Sequence, residues 1–165
     1  MATKKGIIVT GIILAAITSA SFLVWFIPQN KENNIIVSDF KLHLDNIQEI
    51  HKTLQTEVDQ KFQDMLNRKL NSTEYIEIAE ITSIQVNSLI IQLVESTAPE
   101  EWHESYLNYI ESLQKFNLEI RETIVLATIM NEKDSSEDFS EYLKKIDSLR
   151  KDSEDFIKKS NDSRP

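Results

Sequence analysis

The sequence predicts an all-α protein: an N-terminal transmembrane helix followed by an antiparallel, up-down-up-down helical bundle of four helices. Three observations lead there. Residues Gly6 to Ile27 run without one charged side chain, and as a helix of roughly 33 Å they would cross the hydrocarbon core of a bilayer. Residues 29–165 contain no glycine, and Pro99 and Pro165 are their only prolines. Sandwiches and barrels need tight turns built on residues that tolerate positive φ, so long helices with brief polar links are favoured instead. Apolar residues in this part also recur at intervals of three and four, the stripe of an amphipathic helix. A three-helix bundle with a loose fourth helix is the main competitor, and a longer coiled coil comes third.

Residues 1–5 form a short N-terminus carrying Lys4 and Lys5. Residues 6–28 are the expected membrane helix, with Trp25 and Phe26 as interfacial aromatics and Pro28 ending it. The two lysines before the run, against a mixed Lys31/Glu32 flank after it, place the N-terminus inside and the C-terminal domain outside the cell membrane, in a single pass. A cleavable signal peptide fits less well, because the apolar run continues past the small residues Thr18-Ser19-Ala20. Gly11, Ala15 and Ser19 share one helix face at four-residue spacing, a possible seam for a transmembrane dimer.

Residues 29–37 are a polar exit linker, and residues 38–160 the bundle. The first bundle helix is expected over Ser38–Lys69, with Phe40, Leu44, Ile47, His51, Leu54, Val58, Phe62 and Met65 inward. Asn71 with Glu74 three residues on reads as the cap of the second, which runs to about Glu95. That helix is apolar beyond one stripe, so either it is surrounded or Leu89, Ile90, Ile91, Leu93 and Val94 form a protein-contact patch. Pro99-Glu100-Glu101 opens the third, with proline in the first turn and acids at the positive end of the dipole. Trp102, Tyr106, Ile110, Leu113, Phe116, Ile120, Ile124 and Ala127 form its stripe. After a polar connection at Asn131–Ser136, the fourth helix is expected over Glu137–Lys159, with Phe139, Leu143, Ile146, Leu149 and Phe156 inward and Ser153 weakening the packing. Residues 161–165 read as a frayed tail.

Of the 18 basic and 27 acidic residues, only Lys4 and Lys5 lie in the first 28 positions, which leaves the remainder at a formal charge of −11. Nucleic acid is excluded as a partner, because phosphate binding needs clustered Lys and Arg. With no cysteine, disulfides, thiolate metal sites and cysteine nucleophiles are excluded as well. No HExxH pair, P-loop or GxSxG motif is present. Glu100 and His103 make one Glu-x-x-His, the spacing of di-metal carboxylate bundles, but those sites need two such motifs at mid-bundle and this one opens its helix. No catalytic, cofactor-binding or metal residue is assigned. His51 reads as a core-edge histidine bonded to a neighbour, His43 as exposed, and Glu141 with Lys144 and Lys145, and Glu154 with Lys158, as surface pairs. Asn71 and Asn161 begin glycosylation triplets.

Lys4-Lys5-Gly6-Ile7 before an apolar helix resembles the leader of archaeal pilin-like proteins, which implies cleavage after Gly6 and packing of the apolar helix into a filament. The downstream helices depart from that family, whose heads are usually β-rich. The leader as a whole, closed by Phe22-Leu-Val-Trp-Phe-Ile-Pro28, is similar to small archaeal single-pass membrane proteins with helical outer domains. The sequence therefore leads to a non-enzymatic binding or scaffolding module, tethered to the lipid bilayer through residues 6–28 and open to a protein partner or a homodimer. The alternatives are a sensor-type ectodomain holding a small ligand near His51 and a pilin-like subunit.

Overall fold

The computed structural model describes residues 37–132 and 138–165. Four helices occur among them: α1 (Phe40–Leu66), α2 (Ser72–Glu95), α3 (Glu100–Glu132) and α4 (Ser140–Asp162). The described residues contain no strand. No helix among them is long and apolar enough to cross a membrane. The expected span at 6–28, with Gly11, Ala15 and Ser19, lies outside the described residues.

Local chemistry sets the helix ends. Asp39, in an extended conformation, accepts from the Leu42 N–H at 2.9 Å and starts α1 two residues later than expected. Asn71 accepts from the Glu74 N–H at 2.7 Å, and its own amide donates to the Glu74 carboxylate at 3.2 Å, so the anticipated cap of α2 is present. Without glycine, two ordinary residues take the left-handed turns that end helices: Arg68 at φ 59° after α1 and Thr97 at φ 47° after α2. The Arg68, Lys69 and Leu70 N–H groups fold back onto the carbonyls of Met65 and Asp64, which stops α1 at Leu66 rather than Lys69. Ser96 is buried and donates to the Leu93 carbonyl, and Pro99 then opens α3 by accepting from the Trp102 N–H at 2.8 Å.

Chain directions alternate. Between α3 and α4, Ser105 bonds to Ser160, Ser112 to Ser153 and Glu119 to Arg150, a descending register that makes the pair antiparallel. Between α2 and α3, Tyr75 bonds to Thr123 and Asn87 to Asn117, again antiparallel. His43 with Tyr106, and His51 with Tyr109, show α1 running parallel to α3. Helix α3 is central and touches the other three. One continuous core follows, including Leu44, Phe62, Tyr75, Val86, Leu113, Phe116 and Leu126, all at most 3 % exposed.

The fourth helix is docked by a different device from the other three. Leu143 is exposed, Leu149 and Phe156 are half-buried, and Ile146 is the one fully buried apolar residue of α4. The remaining seam is serine. Ser105 and Ser112 on α3 face Ser160 and Ser153 on α4, and all four are inaccessible to solvent. Small side chains at seven-residue spacing let two backbones approach closely; the Ser105, Ser153 and Ser160 hydroxyls find partners on the facing helix, while the Ser112 hydroxyl is buried without one. Ser153, expected to weaken the packing, is a seam residue whose hydroxyl donates to the Ser112 carbonyl at 2.9 Å. Helix α4 also runs to Asp162, past the expected boundary at 160. There Asn161 accepts from Gln48 at 3.0 Å and Arg164 pairs with Asp45 at 2.6 Å, so residues 161–165 engage α1 instead of fraying.

Candidate functional site

Helix α2 has two apolar faces, and they have different fates. Leu89 and Leu93 point into the core, Ile90 is half-buried, and Ile91 and Val94 are 53 % and 62 % exposed. The five-residue patch expected here is therefore divided by the helix, since positions 89 and 93 lie one turn apart on the inner side. Further aliphatic side chains are exposed on this helix and its neighbour: Ile81 and Ile84 of α2, the latter 66 % exposed, and Leu107, Leu118 and Val125 of α3. Asn117 fixes that adjacency by bonding to both Ser83 and Asn87. Asn87, Ile90, Gln114, Asn117, Leu118 and Arg121 line a shallow groove between the two helices. From this pairing the antiparallel register sets Leu107 near Val94 and Val125 near Glu77. Seven aliphatic side chains, each about half exposed, together leave roughly 600 Å² of apolar surface in water on these two helices.

A polar cluster lies inside the bundle, and sequence reasoning missed it. Glu119 on α3 is 2 % exposed, and the Arg150 guanidinium on α4 donates to its Oε1 from Nε at 3.0 Å and from Nη2 at 2.6 Å. The same Nη2 also donates to Asp59 on α1, so one arginine ties three helices. Glu119 Oε2 is buried with no partner. Burial raises the Glu119 carboxyl to about 7, against the opposing pull of Arg150, and raises Asp59 for the same reason. Tyr75 and Thr123 line the same small cavity beside Glu119 and bond to each other, and burial pushes the Tyr75 hydroxyl upward.

His51 occupies the stripe and bonds to a neighbour as expected, but it is fully buried, 1 % exposed, rather than at the core edge. Its Nδ1 sits 2.8 Å from the Tyr109 hydroxyl, and its ring packs 4.8 Å from that of Phe116. Burial lowers it to about 4, so the neutral imidazole belongs to the native state. His43, expected to be exposed, is half-buried 3.0 Å from the Tyr106 hydroxyl, which itself donates to the Phe40 carbonyl and is pushed up to about 12 by burial. Glu100 and His103 are both exposed in the first turn of α3. Among the described residues, no group of three or more His, Asp or Glu side chains is placed to hold a metal ion. Lys145 reaches Glu122 across to α3 at 2.8 Å, in place of the expected pairing with Glu141. Asn71 and Asn161 are exposed, with their side chains held by Glu74 and Gln48.

The geometry thus brings together two features: aliphatic side chains exposed on α2 and α3, and a largely buried Asp59–Arg150–Glu119 cluster that joins three helices. Comparison with protein-family models, with curated proteins and with solved structures gives no match to this chain.

Proposed function

We propose that this protein is a membrane-anchored helical-bundle module, displayed outside the cell membrane, that binds a protein partner without catalysing a reaction. One observation carries the reading: seven aliphatic side chains left exposed on two adjacent helices, Ile81, Ile84, Ile91 and Val94 of α2 and Leu107, Leu118 and Val125 of α3. Leaving such a surface in water forgoes about 25 cal/mol for every Å² that a partner would cover. The uncharged run from Gly6 to Ile27, with Lys4 and Lys5 before it, supports the anchor and its orientation. The sensor alternative draws no support from His51, whose ring is enclosed by Tyr109 and Phe116. The pilin alternative predicts a mature N-terminus at Ile7, which intact-mass measurement distinguishes from a retained Lys4-Lys5.

A photo-crosslinking amino acid at position 91, activated in native membranes, tests the docking reading. It predicts one discrete adduct at position 91, lost when Ile84→Asp is added, and none from the same probe at Leu143 on α4. Equal labelling from positions 91 and 143 refutes it.

A further inference from the structure

The charges around the apolar face select its occupant. Glu77, Glu80 and Glu95 on α2 and Glu104 and Glu111 on α3 border it, and all five are exposed. None of the five is in a salt bridge among the described residues. Arg121 is the basic residue of the groove itself, and nearby Lys115 is turned toward Asp152 on α4 at 3.6 Å. The carboxylates therefore outnumber the basic charge by about four around the exposed aliphatic side chains, and the groove between the two helices is lined by Asn87, Gln114, Asn117 and Arg121 as well as Ile90 and Leu118. A second copy docking face to face would set carboxylates against carboxylates, and an anionic lipid surface would be repelled in the same way.

The shape is as selective as the charge. From Leu107 to Val125 the face follows α3 for about 27 Å, the length of an 18-residue helix. Exposed aliphatic side chains on two adjacent helices, with a shallow and mostly polar groove between them, offer contacts to the apolar stripe of a third helix laid along the pair. Resting on the docking reading above, we infer that the partner presents a basic amphipathic helix of about five turns: aliphatic residues at three- and four-residue spacing, flanked by lysine or arginine. Helix-in-groove contact buries the stripe, and the lysines pair with Glu77, Glu80, Glu95, Glu104 and Glu111 at the rim. These rim pairs choose the partner and speed its arrival more than they tighten the complex.

Two fluorescent 21-residue peptides serve as probes, both with leucine at heptad a and d positions, one with lysine and the other with glutamate at e and g. Their binding to the full-length chain in nanodiscs of zwitterionic phosphatidylcholine is read by anisotropy, with empty nanodiscs subtracted. The lysine peptide is expected to bind at least tenfold more tightly than its glutamate twin, and to weaken at least fivefold between 50 and 300 mM salt. Reversing the rim (E77K, E80K, E95K, E104K and E111K together) is expected to invert the preference. Helicity and thermal midpoint, measured on the same samples, show that this variant is folded. If that variant is unfolded, the single substitutions E80K and E111K are each expected to narrow the preference at least twofold. Equal affinity for the two peptides, or an unchanged preference after reversal, overturns the inference about the partner. Such a result leaves the adduct at position 91 standing, whereas loss of that adduct removes the docking face itself.

Discussion

Replacing Glu119 by glutamine should change how the stability of the bundle depends on pH. In the native state the carboxyl holds its proton up to about pH 7, whereas in the unfolded chain it loses it near 4.5. Between those values the folded state binds more protons, so the contribution of Glu119 to stability falls as pH rises. One pKa unit corresponds to about 1.4 kcal/mol, which puts the full cost of ionising the buried group at about 3 kcal/mol, reached above pH 7. His51 works in the opposite sense. Its folded value of about 4 lies below the ordinary 6.5, so its contribution is intact above pH 6.5 and is lost, by a similar amount, as pH falls toward 4. The two windows overlap, and the contributions cancel between about pH 4.5 and 6.5. Glu119→Gln keeps the side-chain volume and an oxygen for Arg150 while removing the titration. Urea unfolding followed by far-UV circular dichroism at half-unit steps from pH 4.5 to 8 should show the wild type gaining far less stability than the variant across the overlap. The variant should gain about 3 kcal/mol over the same range and be the more stable protein at pH 8. A variant with the pH dependence of the wild type would show that Glu119 stays ionised in the fold, and the reasoning would fail.

Other substitutions follow from the same contacts. His51→Phe removes the imidazole titration and strands the Tyr109 hydroxyl, so it should cost about 1–3 kcal/mol at pH 7 while its stability falls with rising pH between 4.5 and 6.5, as urea titration at several pH values would show. Ser112→Leu forces a branched side chain into a seam with no solvent access and should cost about 2 kcal/mol, with hydrogen exchange accelerated first in α4. Thr97→Gly relieves a β-branched residue of its left-handed conformation and should stabilise the bundle by about 0.5–1 kcal/mol, read as a rise in thermal midpoint.

The fold was legible where pattern and chemistry agree. The Asn71 and Glu74 cap, the proline opening of α3 and the stripe from Leu44 to Met65 are all present where periodicity and capping rules place them. What stayed hidden has physical reasons. Hydropathy ranks serine as polar, so the seam of Ser105, Ser112, Ser153 and Ser160 reads as surface although small size suits those positions to close helix contact. Their seven-residue recurrence, continued by Glu119, was the available signal. A carboxylate buried against an arginine from another helix cannot be told from an exposed one without knowing which helices meet. The turns at Arg68 and Thr97 are invisible for a related reason, since neither residue type advertises positive φ. On α2, apolar on both faces, only packing decides that Leu89 and Leu93 turn inward while Ile91 and Val94 remain outside.

The central claim, an outward-facing bundle whose α2–α3 face is covered by a partner, can be tested with a single reagent because the chain has no cysteine. Ile84→Cys and Lys144→Cys, both at exposed positions, are treated with a membrane-impermeant maleimide in intact cells and again as purified protein. The account predicts equal labelling rates in the purified protein. In cells it predicts ready labelling at position 144 and labelling at least tenfold slower at position 84. Equal rates in cells would contradict the covered face, and failure to label either position until the cells are broken would contradict the topology.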